Sequence, residues 1–207
     1  MHISEGVLSA PVLVTCAAIT VVGCAVALKK MDYDRIPQVA LMSSAFFVAS
    51  LIHVPIGPSS VHLLLNGVIG LLLGWAAFPA ILVALTLQSI LFQFGGITAL
   101  GVNTVNVVMP ALVCFYMFNY LIRSKNTFIS LWSAFACGFL SVFLTSIMVG
   151  VSLVFTGEAF MEVSKLVVIA HFPVMIIEGI MTAFCVVFLK KVKPEILGVT
   201  HAPIKSL

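Results

Sequence analysis

The stretch that decides the fold is "SVHLLLNGVIGLLLGWAAFPAILVALTLQSILFQFGGI", residues 60–97. It contains no Asp, Glu, Lys or Arg, and crossing a bilayer core about 30 Å thick takes about 20 apolar residues per helix. Within it, Gly74 and Pro79 of "GWAAFPA" permit a tight turn. We therefore predict two transmembrane spans, 60–78 and 79–97, separated by a turn that carries no charge.

The rest of the chain is also strongly apolar. Of the 207 residues, 62% are apolar and 8% are charged, which leaves too little polar surface to solvate a globule of this size. The net charge is +3, but the basic residues stand at the ends of apolar runs and form no patch for nucleic acid. We predict an all-α, polytopic membrane helix bundle, with one transmembrane domain at 1–192 and a short cytoplasmic tail at 193–207.

Apolar runs predict about seven transmembrane helices, at 8–28, 36–53, 60–78, 79–97, 104–122, 127–155 and 166–189. Lys and Arg are enriched on cytoplasmic loops. All the basic residues except Lys165 follow the first, fifth or seventh of these spans. This predicts that the N-terminus lies outside and the C-terminus in the cytoplasm.

The N-terminal segment "MHISEG" does not have the features of a secretory signal peptide. Such peptides carry a positively charged region and a small-residue cleavage site, whereas Glu5 is the only charged side chain before Lys29. A bulky residue at position two, here His2, also disfavours removal of the initiator methionine. We therefore expect that the first span is retained and that the mature chain begins at Met1.

His2 stands where the chain itself can bind a metal ion. A free α-amine on Met1, the peptide nitrogen of His2 and the Nδ1 atom of its imidazole can bind one ion through two chelate rings. A fourth nitrogen would complete a square plane, a geometry typical of Ni(II) or Cu(II) and accessible to low-spin Co(II). Zn(II) prefers a tetrahedron and would fit this site badly.

The predicted topology places four of the five histidines on the outer side: His2, His53, His62 and His171. We predict that His62 is the fourth ligand, because Ser59 or Ser60 can cap a helix that His62 enters within its first turn. His53 stands beside "VPIGPSS", where an interfacial polar residue is expected. It is therefore interpreted as a residue of the membrane interface.

Polar side chains at membrane depth are candidates to support the ligands, because uncompensated polar groups there are costly. Asn66 follows His62 by four residues, and it either orients the imidazole or makes an interhelical contact. In "LFQFGGITALGVNTVN", the glycines permit a loop that folds back into the bundle. Asn103 and Asn106 in this segment either donate hydrogen bonds near the metal or cap the fifth span.

Three further residues complete the candidates: Gln93, His171 and Glu178. His171 precedes Pro173, which favours the start of a helix. An acidic residue within a span, as Glu178 is, is a functional candidate, although pairing with Asn or Ser side chains would also account for it.

Four segments together resemble a known family: "MHISEG", "SSVHLLLNG", "GITALGVNTVN" and "HFPVMIIEGIMTA". They are similar, in this order, to segments of the membrane-embedded substrate-specificity (S) component of the energy-coupling factor transporters for nickel and cobalt, the CbiM/NikM type. The resemblance extends from residue 1 to about 190. It implies a seven-helix bundle that binds Co(II) or Ni(II) through Met1, His2 and His62.

The resemblance also implies a role for the Asn103 to Asn106 segment at the site, and it implies partners. These are a transmembrane coupling subunit, two cytoplasmic ATPase subunits and often a small additional membrane subunit. The chain itself is expected in a prokaryotic cell (inner) membrane. This chain has no GxxxxGK[ST] loop. We therefore expect that the chain is not an enzyme and that separate subunits hydrolyse ATP.

The alternative is a divalent-metal channel or secondary carrier that works alone. Such carriers usually show internal repeats or a chain of intramembrane ionisable residues, whereas Glu178 is the only acidic residue well inside a predicted span. A membrane enzyme is disfavoured as well, because no HExxH motif occurs and no serine has an evident His and Asp partner.

Overall fold

The structure is a computed structural model that describes residues 2–51, 53–56, 59–157 and 160–198; the side chains of 53–56 and 59–61 lie outside it. Within these ranges the chain forms eight α-helices and one β-hairpin. The helices are α1 (Ala10–Lys30), α2 (Ile36–Ala49), α3 (Asn66–Leu73), α4 (Ala77–Phe92), α5 (Leu100–Ile122), α6 (Thr127–Val154), α7 (Met161–Ala170) and α8 (Phe172–Val192). The strands are β1 (His53–Ile56) and β2 (Ser59–His62).

Local sequence accounts for the ends of several helices. A proline in the first turn begins α1, α2 and α8, where its fixed φ suits the helix and its missing N–H is not needed. This confirms Pro173 as a residue of a helix start. Pairs of lysines lie in the last turns of α1 and α8, where positive charge interacts favourably with the exposed carbonyl groups.

Five helical stretches of the described chain are long and apolar enough to cross a membrane: Ala10–Lys30, Asn66–Phe92, Leu100–Ile122, Thr127–Val154 and Met161–Val192. The second contains α3 and α4, and the fifth contains α7 and α8. The 14 residues of α2 extend only about 21 Å, which is short of the bilayer core. The structure is thus a polytopic helical bundle, but the predicted count of seven spans is not confirmed.

The predicted interruption in "GWAAFPA" is present. A 3₁₀ turn at Gly74–Ala76 separates α3 from α4, and Gly74 adopts a positive φ of 54°, which glycine tolerates better than other residues. The predicted third span nevertheless begins too early. Helix α3 starts at Asn66 and has 8 residues, so it extends only about 12 Å.

A hairpin takes the place of the predicted helix start at Ser59 or Ser60. Strands β1 and β2 are antiparallel, and their register pairs His53 with His62. His62 is therefore the last residue of a strand and not part of a helix, so the predicted helical cap is wrong. Pro55 in β1 disfavours helix for itself and for Val54, and Ser59–His62 pair with this extended segment as a second strand instead of beginning a helix.

Helix α6 packs against α5, α7 and α8, and all eight residues of α3 are buried inside the bundle. Close backbone approaches hold the bundle together: a side chain at Gly101 of α5 would overlap the backbone of Ala17 on α1. Large apolar side chains such as Val21, Ile90 and Phe184 are more than half exposed on outward faces. These faces suit contact with lipid, because they carry apolar groups where a soluble protein would carry polar ones.

Among the described residues, Lys30, Arg35 and Lys190, which were predicted to be cytoplasmic, lie at one end of the bundle, which we call the basic end. Lys190, in the last turn of α8, donates from Nζ to the carbonyl oxygens of Ile122 and Ser124 at the end of α5, at 3.0 and 2.7 Å. Lys30 lies over the ring of Trp75, with Nζ 5.4 Å from the centroid. The first turns of α5 and α8 lie at the other end.

Past α8, Pro194–Leu197 form a 3₁₀ turn, and the Leu197 side chain is buried against the bundle. The division at residue 192 into a membrane domain and a tail stays a prediction.

Candidate metal site

The N-terminal segment enters the bundle interior beside the first turn of α5. His2 is 5% exposed, and Ile3 is fully buried. The side-chain amide of Asn103 holds Ile3 by both of its main-chain groups. The Ile3 N–H donates to Asn103 Oδ1 at 2.9 Å, and Asn103 Nδ2 donates to the Ile3 carbonyl oxygen at 3.2 Å. Asn103 therefore fixes the main chain directly after His2.

A glycine loop between α4 and α5 closes over this segment. Gly95 has a φ of 82°, and a Cβ atom there would lie 2.9 Å from Asn103 Nδ2 and 3.3 Å from His2 Cβ. A Cβ on Gly96 would overlap the Glu5 carboxylate, which accepts a hydrogen bond from the Ile97 N–H at 3.2 Å. Both positions require glycine, because the loop backbone lies directly on the N-terminal residues.

His2 and His62 come together under this loop. Their ring centroids lie 4.5 Å apart, with an angle of 26° between the ring planes. The ring of Phe94 also stacks on His2, with its centroid 6.5 Å from that of the His2 ring. The structure thus brings His2 together with the last residue of β2, with both side chains buried and an aromatic ring beside them.

The protonation of His62 follows from its contacts. Its Nδ1 atom lies 2.9 Å from the carbonyl oxygen of Leu63, so this nitrogen carries the proton and donates. Burial lowers the pKa of His62 from 6.5 to about 4, against the opposing effect of that hydrogen bond. The imidazole is therefore neutral at physiological pH. Its Nε2 atom is buried, has no hydrogen-bond partner among the described residues, and bears a lone pair suited to a metal.

The loop after His62 is held by Glu178 of α8, which is fully buried. Its Oε1 atom accepts from the N–H groups of Leu64 and Leu65, at 2.5 and 2.6 Å. Leu65 has a left-handed backbone, with a φ of 53°, and adjacent N–H groups in such a bend form a concave site for an oxygen anion. Glu178 thus pairs with main-chain groups, and not with the Asn or Ser side chains considered from the sequence.

His171 lies at the junction of α7 and α8 and is fully buried. Its Nδ1 atom donates to the carbonyl oxygen of Val167 at 2.5 Å, and its Nε2 atom has no hydrogen-bond partner in the described part of the chain. His171 and His62 are close enough to interact electrostatically. The structure therefore places His171 near His62.

The two other buried asparagines contact α6. Asn66 donates from Nδ2 to Thr145 Oγ1 at 2.9 Å and accepts from Ser141 Oγ at 2.9 Å. This is the interhelical contact that the sequence left open, and not an orienting bond to His62. Asn106 accepts from Ser152 Oγ at 3.2 Å, and its Nδ2 atom has no hydrogen-bond partner within the described ranges.

Gln93 differs from the other candidates, because its side chain is exposed at the left-handed turn that ends α4. Two predictions fall outside the described atoms. Met1, predicted to be a ligand, lies outside the described residues, and so does the side chain of His53, predicted to lie at the membrane interface. Across the described chain, no group of three or more His, Cys, Asp or Glu side chains is arranged to hold a metal ion. The described donors at the site are the two imidazoles and the main chain around His2.

Sequence reasoning missed two contacts. Nothing in the sequence indicated the contact between the Phe94 ring and His2, except that Phe94 stands next to the glycine loop. The attachment of Glu178 to Leu64 and Leu65 joins residues more than 100 positions apart. The presence of an acid within an apolar run singled out Glu178, but not the groups that it contacts.

The chain is similar to known proteins of metal transport. The family model CbiM, described as a cobalt uptake substrate-specific transmembrane region, matches residues 2–196. A Haemophilus influenzae protein named "Putative metal transport protein" is 39% identical over 203 residues, covering 97% of this chain and 98% of that protein. The cobalt transport protein CbiM of Sorangium cellulosum is 28% identical over 214 residues, covering 95% and 94%.

Solved structures show the same fold. A crystal structure of a transition metal transporter superposes with a TM-score of 0.76 at 27% sequence identity, covering 93% of each chain. The match to the family model over nearly the whole chain, together with these relatives, establishes the family. The chain belongs to the CbiM family and is a membrane-embedded substrate-specificity component of the CbiM/NikM type.

Proposed function

We propose that this chain is the substrate-binding membrane component of an ATP-driven energy-coupling factor importer for Co(II) or Ni(II). The observation that carries the proposal is the burial of His2 against His62, with ring centroids 4.5 Å apart. The burial of His2 beside His62 brings the nitrogen donors of two imidazoles together. The metal ion is the cargo of the transporter, and the chain is not an enzyme.

The proposed ligands are four nitrogens: the α-amine of Met1, the peptide nitrogen and Nδ1 of His2, and Nε2 of His62. The proton on His62 Nδ1 leaves Nε2 free to coordinate. Asn103 supports the chelate by holding the main chain of Ile3, the next residue along. A planar set of nitrogens favours Ni(II) and low-spin Co(II) over Zn(II).

The buried setting suits this chemistry. The glycine loop covers the N-terminal residues, which keeps competing water from the open faces of a planar ion. Binding requires loss of the amine and peptide protons, so affinity should fall as the pH is lowered. His62 adds little to this dependence above pH 5, because burial keeps its pKa near 4.

Transport needs partners in this proposal: a transmembrane coupling subunit, two cytoplasmic ATPase subunits and, in some systems, a small additional membrane subunit. The metal site faces outward to load, and ATP hydrolysis in the partners reorients the bundle so that it opens inward. Family membership supports this scheme, as does the absence of a nucleotide-binding loop from the sequence.

The test is to add one residue before Met1 and measure Ni(II) or Co(II) uptake in cells that express the chain with its partners. The added residue removes the primary amine from Met1 and shifts the chain terminus by one residue relative to His62, so the proposed ligand set cannot form and uptake should be abolished while the protein still folds. The matched control adds the same residue after Leu207 and should keep full uptake. Full uptake by the N-terminally extended chain would refute the planar site.

The same assay separates the importer from a carrier that works alone. With the native N-terminus but without the coupling subunit and the ATPases, uptake should fall to background. Sustained uptake by the single chain would favour the channel or secondary carrier.

A further inference from the structure

One peptide group joins His62 to Glu178. The carbonyl oxygen of Leu63 accepts from His62 Nδ1, and the N–H of Leu64 donates to Glu178 Oε1. These two atoms belong to the same peptide unit, and in a planar trans peptide the C=O and N–H groups point in opposite directions. The peptide therefore lies between the carboxylate on one side and the imidazole on the other.

Glu178 also holds the next peptide unit. The Leu65 N–H donates to the same Oε1 atom at 2.6 Å, at a residue with a left-handed backbone. Two N–H groups that converge on one buried oxygen define the orientation of both peptide planes. If the first plane rotated by half a turn, its carbonyl oxygen would face the carboxylate and the imidazole would lose its acceptor.

We propose that Glu178 is the positioning residue of the metal site, holding the Leu63–Leu64 peptide so that His62 keeps its proton on Nδ1 and presents Nε2. The inference rests on the proposed metal site at His2 and His62. Hydrogen bonding of one ring nitrogen decides which nitrogen of a histidine can bind a metal. Glu178 acts through the peptide group and does not itself coordinate the ion.

The chain offers a matched set of variants at this position. Glu178→Met keeps the length of the side chain and removes the acceptor, whereas Glu178→Gln keeps an acceptor oxygen for both N–H groups. Thr182→Val is the control: Thr182 is fully buried one turn further along α8. Its Oγ1 atom has no hydrogen-bond partner among the described residues, so this nearly isosteric change removes no described bond.

Two readouts test the proposal on the full-length chain with a native N-terminus. The first is the tautomer of His62 in the metal-free protein, read from the ¹⁵N shifts of labelled histidine and assigned with His62→Ala. The second is the affinity for Ni(II), with the visible spectrum of the bound ion. Loss of packing alone would not move the tautomer.

We expect Glu178→Met to lose the fixed Nδ1–H tautomer and to bind Ni(II) roughly 10–100-fold more weakly, as is typical when the support behind a histidine ligand is removed. Glu178→Gln should rescue both readouts, and Thr182→Val should match the wild type. A native tautomer and affinity in Glu178→Met would overturn the proposal, and so would a Gln variant as impaired as the Met variant.

If Glu178→Met does not fold, Glu178→Asp decides the question, because its shorter side chain should give a mixed tautomer and weaker binding; wild-type values would overturn the inference. Failure of the wild-type chain to bind Ni(II) or Co(II) would instead refute the proposed function. The tautomer measurement on the metal-free protein keeps the two failures distinguishable.

Discussion

The two ends of the bundle differ in whether their polar groups have hydrogen-bond partners. At the basic end, Lys190 satisfies the carbonyl groups that end α5, Ser130 Oγ donates to Ile122 at 2.8 Å, and Arg35 donates to the Leu72 carbonyl oxygen at 2.7 Å. The other end, which we call the histidine end, contains His2, His62, His171 and Glu178. There, buried polar atoms lack a hydrogen-bond partner in the described structure: Nε2 of His62, Nε2 of His171 and Oε2 of Glu178.

This difference supports the proposal that the ion binds at the histidine end. Most buried polar atoms in native proteins have a partner, so a cluster of exceptions needs an explanation. At the basic end, side chains supply the donors that the last turns of helices lack, and this arrangement serves stability. At the histidine end, the Nε2 atoms of His62 and His171 have no hydrogen-bond partner among the described residues, which is what the proposed metal site would require of His62. Substitutions at the two ends should therefore separate binding from stability.

The largest effect is expected for His62→Ala. Loss of a ligand should weaken Ni(II) affinity by more than the roughly 10–100-fold that follows from loss of a group supporting a ligand, while the protein stays folded. Titration with Ni(II), followed by its visible absorption, measures the change. His171→Ala is the comparison and should have a smaller effect, because His171 is assigned no coordination. The reverse order would mean that the fourth ligand is misassigned.

The next effect is expected for Asn103→Leu. This change removes both hydrogen bonds to Ile3 and releases the segment that carries His2. Ni(II) affinity should fall by roughly 10–100-fold. Asn103→Asp keeps the acceptor for the Ile3 N–H and should bind with intermediate affinity. Wild-type binding by the Leu variant would show that the N-terminal segment is held by other contacts.

The smallest effect is expected at the basic end, for Lys190→Met. It keeps most of the apolar stem but loses the hydrogen bonds to Ile122 and Ser124, which should cost about 1 kcal/mol of stability and lower the melting temperature by about 2–4 °C. Thermal unfolding in detergent measures this shift, with Lys190→Arg as the control. Ni(II) affinity should not change. A marked loss of affinity would show that the two ends are energetically coupled.

The long helices could be predicted from the sequence because apolar length is a direct requirement of the bilayer. The hairpin could not, since a count of apolar residues around "VPIGPSS" extends the flanking spans and ignores that Pro55 disfavours helix at itself and at the residue before it. The same count made α2 and α3 too long. The division of Met161–Val192 at His171 was foreseen only through Pro173, which marks the start of α8.

For the site, the pairing of His2 with His62 could be inferred because the chelate at the chain terminus supplies three nitrogens and a square plane needs a fourth. The structure places the two rings together, but it does not test the role of Met1. The contacts of Asn103 with Ile3 and of Glu178 with Leu64 depend on tertiary packing between distant segments. A single sequence shows which buried groups need partners, but not which main-chain atoms they meet.

The most direct test of the central claim is the metal content and visible spectrum of the full chain, purified with its native N-terminus after growth with Ni(II) and Zn(II) present. The account predicts one Ni(II) per chain, as a yellow, diamagnetic species typical of a square plane of nitrogens. Recovery of tetrahedral Zn(II) alone, with no bound Ni(II), would contradict it.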